Sequence, residues 1–575
     1  MKMSAQGQGR LARARLLALV SAPLAVVTLS ACAPNGVGAG PTQATSVATA
    51  PVRPSTVNLA NSACAALMQQ TVPGLTAVKL TQASLIAAGS QRARDPNGNR
   101  EVGEPLPEHC LVRGRIDERV GSDGKPYHTG FELRLPSQFS GRFIYQGGGG
   151  NDGVVFNAVG RTTGAAGWAD NALQRGFAAV STDAGHQSPS PEFGLDPQAR
   201  IEHAHRAHER TARTAKALLA HYYGRGADRS YFVGCSGGGR QGMMFTQRYP
   251  DLFDGVVAVA PAMRVSEGAT IAAAWTVQRF MPVAPNGSDG QPVLALAFSE
   301  GQLKRVAAEV LDQCDARDGL KDGLVSDYEG CRISPQKLVC AAGTAPGTDC
   351  LSPAQAQALG DMMAGPRNSR GALYFGWPWD AGLADPSWRA WTLGTATQGP
   401  ANARHITLMA GALGHEFVTP PDTTLSTLNF NFETDPARMK AFHQVYDTAD
   451  DANLMGMRAR GGKLLLIHGM ADPIFSALET MDYQRRVNAA VPQASQHVRS
   501  FMVPGMTHCA GGPATGMFDG LAAMQRWVED GAAPARIEAK GSSLMAGVSR
   551  PLCPYPQVAR YVSGDSQLAS SFACR

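Results

Sequence analysis

Six short apolar runs recur along the chain, and the segments between several of them carry apolar residues at helical spacing. Each run has the length and composition of a strand that is buried on both faces of a sheet. Strands that alternate with helices predict an α/β fold with a doubly wound, mostly parallel sheet. The six runs are residues 142–146, 177–183, 231–233, 256–261, 463–468 and 498–503.

Two regions depart from this rhythm. Residues 112–116 and 131–135 alternate apolar and polar side chains, which predicts antiparallel strands at the edge of the sheet. Residues 262–460 contain four cysteines and many Trp, Pro and Gly residues but few strand-like runs. An insertion of this size between core strands predicts a lid domain. We therefore divide the folded chain into a first core part (residues 56–261), a lid (262–460) and a second core part (461–575).

The N-terminus has the pattern of an export signal. Arginines within residues 10–15 precede an apolar stretch, residues 16–29, that is too short to span a membrane. The stretch ends in Leu-Ser-Ala-Cys at Cys32, which resembles a bacterial lipobox, whereas an ordinary signal peptide is the alternative. We predict a signal peptide over residues 1–31, lipidation of Cys32 and a flexible tether over residues 32–55. The expected location is the bacterial outer membrane through that anchor, or otherwise the periplasm or the medium.

Composition narrows the possible partners. The chain of 575 residues is 44% apolar, 17% charged and carries a formal net charge of +5 without a long basic run. These values are typical of a globular protein and argue against nucleic acid as a partner. We expect a monomer that contacts the membrane only through its lipid anchor.

Cysteine usage predicts a disulfide framework. Eleven cysteines minus Cys32 leave ten, an even number in an exported chain. Local spacing favours three bridges that close short loops, although connectivity stays open at this point. Those are Cys314–Cys331, Cys340–Cys350 and Cys553–Cys574, and the pairs Cys64–Cys110 and Cys235–Cys509 are what remain.

The run Gly234–Gly238, Gly-Cys-Ser-Gly-Gly, follows an apolar run and precedes a helical segment. Strand, G-x-S-x-G and helix together predict a nucleophile elbow with Ser236 as the nucleophile. Asp472 and His508 each follow a later predicted strand, which gives the order Ser, Asp, His of the α/β-hydrolase fold. A turn aspartate is the alternative for Asp472.

Cys235 precedes the candidate serine and Cys509 follows the candidate histidine. One disulfide between them would hold the nucleophile and its base together. The glycine loop, residues 147–153, follows an early strand and lacks the Gly-Lys-Ser/Thr of a P-loop. We therefore predict that the amides of Gly150 and Gly237 receive the oxyanion.

Asp315, Asp318 and Asp322 lie close together in the acidic loop, residues 315–324, which also contains Gly319 and Gly323. Closely spaced carboxylates on a glycine-containing loop can wrap a structural Ca²⁺, and a solvated acidic turn is the alternative. The segment over residues 201–223 contains His203, His205 and His208, whose spacing is not that of a metalloprotease motif. We expect a solvated helix face there rather than a metal site, and no organic cofactor.

The Cys-Ser and His-Cys pairs, the glycine loop, the acidic loop and the cysteine spacing together resemble the tannase and feruloyl esterase family. The resemblance covers nearly the whole mature chain, including residues 194–200 and 551–557. It implies that Ser236, Asp472 and His508 form the triad, beside a Cys235–Cys509 disulfide. It also implies that the carbonyls of Leu320 and Leu324 join the calcium ligands.

Four further roles are implied by the resemblance alone. Trp391 corresponds to a residue that packs on the substrate ring, Arg404 to one that pairs with a free substrate carboxylate, and Phe475 to an aromatic residue of the pocket. Leu408 stands where the family resemblance predicts a phenylalanine that closes over the substrate, and Gly237 stands where the resemblance predicts a glutamate. A lid-surface arginine in a weak salt bridge is the alternative for Arg404.

We therefore expect a serine carboxylesterase that hydrolyses esters of aromatic acids through an acyl-enzyme. Mono(2-hydroxyethyl) terephthalate, cleaved to terephthalate and ethylene glycol, is the expected substrate. A feruloyl esterase or tannase that acts on plant phenolic esters is the alternative. A non-catalytic, ligand-binding surface lipoprotein is a more remote one.

Overall fold

The computed structural model describes residues 55–56, 61–69, 72–94, 100–162, 170–343 and 349–575. The predicted signal peptide, Cys32 and the predicted tether up to residue 54 lie outside the described residues. Contacts group residues Pro51–Arg575 into one compact unit. The division into two core parts and a lid therefore stays a prediction.

A nine-stranded sheet forms the centre of the protein, in the order β9-β8-β7-β6-β4-β5-β3-β2-β1. All six predicted buried runs are strands of this sheet, β4 to β9, and they pair in parallel. The strands are β1 Val78–Ile86, β2 His109–Val120, β3 Pro126–Pro136, β4 Arg142–Gln146, β5 Ala178–Thr182, β6 Arg229–Cys235, β7 Gly255–Val259, β8 Lys463–Gly469 and β9 Val498–Val503.

The two alternating runs near the N-terminus are antiparallel strands, as predicted, but neither lies at the edge. β3 pairs with β5, and β2 pairs with both β3 and β1. The edge is β1, whose side chains are only partly buried and therefore show no clean alternation in the sequence.

Helices cover both faces of the sheet. Alternate strand residues point to opposite faces, so Phe232 joins the apolar cluster that contains Leu218, while its neighbour Tyr231 joins the one that contains Trp527. The main helices outside residues 262–460 are α1 Ala207–Tyr223, α2 Gly237–Arg248, α8 Ala477–Ala490 and α9 Gly520–Glu529.

Residues 262–460, called the inserted segment below, leave the sheet after β7 and return at β8, the adjacent parallel strand. They form mostly helices and bury their own large apolar cluster, which also includes Met470 and Phe475 from beyond β8. Ser299 and Gln302 form a capping box at the start of α4. The main helices are α3 Thr270–Phe280, α4 Glu300–Cys314, α5 Pro353–Ala364, α6 Pro386–Thr392 and α7 Pro436–Tyr446.

The expectation of a solvated histidine face was wrong. His203 and His208 are each only 1% exposed, and His205 is partly buried. A π-helical turn, Glu202–Arg206, precedes α1, and His203 is one of its buried residues. An irregular turn of this kind shifts the helical phase, so spacing could not predict which face these side chains take.

All five expected disulfides are present, and the connectivity is Cys64–Cys110, Cys235–Cys509, Cys314–Cys331, Cys340–Cys350 and Cys553–Cys574. Disulfides persist in oxidising compartments, which agrees with an exported protein. Within the described part of the chain, no helix has the length and apolar character needed to cross a bilayer.

Candidate active site

Ser236 lies in the sharp turn between β6 and α2. Its backbone has φ +63° and ψ −125°, a conformation that costs a non-glycine residue on the order of 1–3 kcal/mol. The turn is tight, because a Cβ atom at Gly234 would lie only 2.6 Å from the backbone of Gly238. Glycine is therefore required at Gly234, and the strained turn presents the serine at the carboxyl end of the parallel strands.

His508 and Asp472 form a hydrogen-bonded pair. His508 Nδ1 donates to Asp472 Oδ2 over 2.8 Å. The other carboxylate oxygen accepts the backbone N–H groups of Ile474 and Phe475 over 2.9 and 3.1 Å. With Nδ1 committed to the carboxylate, Nε2 is the nitrogen left to act as a base.

The electrostatics of Asp472 favour the ionised carboxylate. Its side chain is buried, and burial alone would raise its pKa. The charge of His508 and the hydrogen bonds from His468 and His508 outweigh burial and hold the pKa of Asp472 well below its ordinary value. An ionised carboxylate at this position would stabilise an imidazolium at His508.

The Cys235–Cys509 disulfide joins the residue before Ser236 to the residue after His508, with Cα atoms 6.0 Å apart. These cysteines are separated by 274 residues in the sequence. The bridge therefore holds the serine turn and the histidine loop together, as expected from the positions of the two cysteines in the sequence.

The glycine loop lies against the start of α2. A Cβ atom at Gly237 would lie 3.6 Å from the backbone nitrogen of Gly150, so the two predicted oxyanion amides are neighbours. The amides of Gly148 and Gly149 already donate to side chains of Gln241 and Asp152. The Gly150 N–H, in contrast, has no hydrogen-bond acceptor among the residues that the structure describes.

Aromatic side chains surround His508. The ring centroids of Trp391 and Phe475 lie 5.3 and 5.4 Å from that of the imidazole, both in edge-on contact. Arg404 is exposed, and its guanidinium carbon lies 5.3 Å from the Trp391 ring centroid. Leu408 is partly buried against the same apolar cluster. The structure thus places Trp391 and Phe475 beside His508, and Arg404 beside Trp391.

Arg404 forms no salt bridge with a carboxylate in the described part of the chain. The structure therefore does not show the weak surface pair that was the alternative for this residue.

The acidic loop contains the carboxylates expected to bind calcium. Some of its features favour a cation site and others argue against one. Asp318 Oδ2 is buried without a hydrogen-bond donor among the described residues, and burial raises the pKa of Asp318 to about 6. Both features fit a missing positive charge. Asp322 Oδ2, however, already pairs with Arg550, and no group of three or more His, Cys, Asp or Glu side chains in the described ranges is arranged to hold a metal ion. Carbonyl oxygens, such as those of Leu320 and Leu324, would have to complete a calcium shell.

Sequence reasoning did not assign a role to Asp152, His203 or Glu416. Asp152 lies within the glycine loop and accepts the N–H of Gly149. Its side chain also contacts His203, which in turn donates to Glu416. The aspartate in an otherwise glycine-rich loop was a usable signal. The sequence held no signal for the hydrogen bond between His203 and Glu416, because more than 200 residues separate the two.

The fold and the strained serine turn at the carboxyl end of the sheet define an α/β hydrolase. The family model described as tannase and feruloyl esterase matches residues 110–575. The chain therefore belongs to the tannase and feruloyl esterase family, and it is a carboxylic ester hydrolase.

Individual relatives agree with this assignment. A mono(2-hydroxyethyl) terephthalate hydrolase from Piscinibacter sakaiensis is 41% identical over 517 residues, which cover 82% of this chain and 85% of the relative. Feruloyl esterase B from Aspergillus niger is 30% identical over 75% of this chain and 80% of its own length. The crystal structure of feruloyl esterase B from Aspergillus oryzae superposes with a TM-score of 0.74 at 25% identity, covering 90% of this chain and all of the other.

Proposed function

We propose that this protein hydrolyses esters of aromatic acids through an acyl-enzyme on Ser236. The observation that carries the proposal is the Cys235–Cys509 bridge, which links the serine turn to the loop of the Asp472-bound His508. A weak hydroxyl nucleophile needs such a neighbouring base.

In the acylation step, His508 Nε2 accepts the Ser236 Oγ proton while Oγ attacks the ester carbonyl carbon. The N–H groups of Gly150 and Gly237 donate to the oxyanion, each worth on the order of 3 kcal/mol of barrier. The tetrahedral intermediate expels the alcohol, which takes the proton from His508.

In the deacylation step, His508 removes a proton from a water molecule that attacks the acyl-enzyme carbonyl. The second tetrahedral intermediate breaks the bond to Ser236 Oγ, which recovers its proton from His508. The aromatic acid is released and the enzyme is regenerated.

For the substrate, mono(2-hydroxyethyl) terephthalate is the best candidate, with terephthalate and ethylene glycol as products. The 41% identical relative is named for this reaction. Trp391 and Phe475 border His508, where they would contact the benzene ring of a bound ester. Arg404, beside Trp391 and without a carboxylate partner among the described residues, is suited to a carboxylate on the far side of the substrate ring.

A feruloyl esterase or tannase acting on plant phenolic esters is the second candidate. It is favoured by the feruloyl esterase relatives and by Leu408, which cannot make the edge or face contact of an aromatic side chain. A non-catalytic surface lipoprotein is less consistent with a retained strained serine and a paired histidine.

The deciding experiment is a comparison of kcat/KM on mono(2-hydroxyethyl) terephthalate, methyl ferulate and methyl gallate. The proposal predicts the highest value for the terephthalate ester and no turnover of any ester by Ser236→Ala, which still binds the ligand. Preference for ferulate or gallate would select the second candidate. If the unchanged protein turned over none of these esters, only the non-catalytic surface lipoprotein would remain as a candidate.

Three further features belong to this proposal. A structural Ca²⁺ bound by Asp315, Asp318 and Asp322 and by the carbonyls of Leu320 and Leu324 would neutralise the buried carboxylates of the acidic loop. Cys32, after removal of the signal peptide, would carry a lipid that anchors an otherwise monomeric enzyme to the bacterial outer membrane. Mass spectrometry of the membrane fraction for an acylated N-terminal Cys32 tests the anchor directly.

A further inference from the structure

A buried polar chain runs from the glycine loop into the protein. Asp152 Oδ1 accepts the N–H of Gly149 over 2.8 Å, and Oδ2 accepts the side-chain amide of Gln241 over 2.8 Å. Gln241 in turn accepts the N–H of Gly148 over 3.1 Å through its carbonyl oxygen. Two side chains therefore engage the amides of Gly148 and Gly149, and the amide of Gly150 is the next one along.

The chain continues to the inserted segment. His203 Nε2 lies 3.5 Å from Asp152 Oδ2, and His203 Nδ1 donates to Glu416 Oε1 over 2.7 Å. Glu416 belongs to the π-helical turn Leu413–Phe417 of the inserted segment. The side chains of Asp152 and His203 are each 2% exposed, and that of Glu416 is fully buried.

The charges of this chain are complementary. Burial alone would lower the pKa of His203, but the charge of Glu416 and the contact with Asp152 raise it to about 9. The raised pKa favours the imidazolium form of His203, in which both ring nitrogens donate towards the two carboxylates. A buried cation with two anionic neighbours resists displacement, because separating any member leaves an uncompensated buried charge.

We propose that Asp152 is a positioning residue for the oxyanion hole, and that His203 and Glu416 hold its carboxylate in place from the inserted segment. Asp152 fixes the Gly149 peptide and thereby the direction of the following Gly150 N–H. Because Glu416 belongs to the inserted segment, the direction of the Gly150 N–H also depends on how that segment packs against the rest of the protein. The inference rests on the proposed serine mechanism.

An oxyanion donor acts mainly in the transition state, so its misalignment lowers kcat and leaves KM nearly unchanged. Loss of a whole donor costs about 100- to 1,000-fold in kcat. Displacement of the Gly150 N–H by altered support should cost less. We expect a decrease in kcat of about 10- to 100-fold for Asp152→Asn and for Glu416→Gln.

The test measures kcat and KM on a 4-nitrophenyl ester of benzoic acid, expressed per mole of folded protein, so that partial unfolding does not count as lost catalysis. Glu479→Gln is the matched control. Glu479 is also a carboxylate that is 1% exposed, but its partner is the hydroxyl of Tyr374 rather than the glycine loop. A kcat loss in Asp152→Asn and Glu416→Gln no larger than that in Glu479→Gln would overturn the proposal.

Phenylboronic acid supplies a readout that a purely structural role would not move. Its tetrahedral adduct with Ser236 places an oxygen where the oxyanion forms. Its inhibition constant should rise by about the same factor as kcat falls in each variant, with KM within about threefold of the original value. Unchanged boronate inhibition alongside a reduced kcat would contradict oxyanion positioning.

A double variant tests the connection itself. If Asp152 and Glu416 act through the same chain, Asp152→Asn/Glu416→Gln should be no slower than the slower single variant by more than about threefold. Multiplied losses would show two independent effects and overturn the coupling. Ser236→Ala separates the two levels of inference: residual turnover by Ser236→Ala would reject the serine mechanism, whereas its inactivity with unchanged Asp152 and Glu416 variants would reject only the positioning role.

Discussion

The Trp391 indole meets the His508 imidazole nearly edge-on, with ring centroids 5.3 Å apart and ring planes at 81°. Trp391 belongs to α6 of the inserted segment, whereas His508 follows β9 of the central sheet. The inserted segment therefore supplies a wall of the site in direct contact with the proposed base.

Replacement of this indole should weaken binding of aromatic substrates. We expect Trp391→Leu to raise KM for an aromatic acid ester about tenfold, since an aromatic pair contributes about 0.5–1.5 kcal/mol beyond area burial. KM for an acetate ester of the same alcohol should change less. Trp275→Leu is the control, because Trp275 and Trp391 are both 6% exposed and both lie in the inserted segment. Equal changes in KM for the two variants would contradict a substrate contact by Trp391.

Arg404 should select substrates that carry a free carboxylate. We expect Arg404→Ala to lower kcat/KM for mono(2-hydroxyethyl) terephthalate about 10- to 100-fold, in line with a charge-assisted hydrogen bond worth about 1.5–3 kcal/mol. Methyl benzoate hydrolysis should be nearly unaffected. Arg279→Ala is the matched control, since Arg279 lies over Trp275 much as Arg404 lies over Trp391. An unchanged preference for the carboxylate would remove Arg404 from the substrate model.

The Cys235–Cys509 bridge should matter more for activity than the bridges elsewhere. We expect Cys235→Ser/Cys509→Ser to lose most of its activity under conditions in which the far-UV circular dichroism is still native. The chain-entropy model puts the stability loss on the order of 5 kcal/mol for so long a loop. Cys340→Ser/Cys350→Ser removes the bridge with a separation of only 10 residues and should retain activity. During reductant titration, activity and folded signal that fall together would count against this prediction.

Calcium should stabilise the folded protein if the acidic loop binds it. We expect chelation with EDTA to lower the melting temperature and added Ca²⁺ to restore it, since a ligand at about 100 times its Kd contributes about 2.7 kcal/mol. Asp318→Asn should abolish the calcium response because its orphaned buried oxygen is the best available ligand atom. Asp312→Asn, just before the loop, serves as the control. A melting temperature indifferent to EDTA and Ca²⁺ would leave the acidic loop as a hydrogen-bonded turn.

Glu479 should make stability depend on pH. Burial raises the pKa of Glu479 to about 7, although the Tyr374 hydrogen bond and the charge of Arg264 lower it in part. The stability associated with the protonated carboxyl is fully present below the unfolded pKa of about 4.3 and is lost as pH rises through about 7. The loss is on the order of 3 kcal/mol.

Glu479→Gln keeps the shape but cannot ionise. Its melting temperature should therefore fall less than that of the original protein between pH 5 and pH 8. Asp385→Asn, a substitution of a partly buried carboxylate in the inserted segment, should leave the original pH dependence in place. Parallel curves for Glu479→Gln and the original protein would contradict the assignment.

Local patterns were sufficient for much of the fold. All six buried parallel strands follow from short apolar runs, because a strand covered on both faces must be apolar throughout. The serine turn was equally predictable, since only glycine at Gly234 tolerates the close approach of Gly238. The edge of the sheet was not predictable, because the edge strand β1 is only partly buried and shows no clear alternation of apolar and polar residues.

The sequence by itself determined the six parallel strands and the elbow at Ser236, because both depend on short-range chemistry, and it showed the chain order of Ser236, Asp472 and His508 directly. Only the tertiary structure decided that His203 is buried between Asp152 and Glu416, and that Trp391 meets His508. Such contacts join residues from separate elements, and their geometry depends on how the helices of residues 262–460 pack on the sheet. Packing of that kind depends on contacts among many side chains and produces no periodic pattern in the sequence.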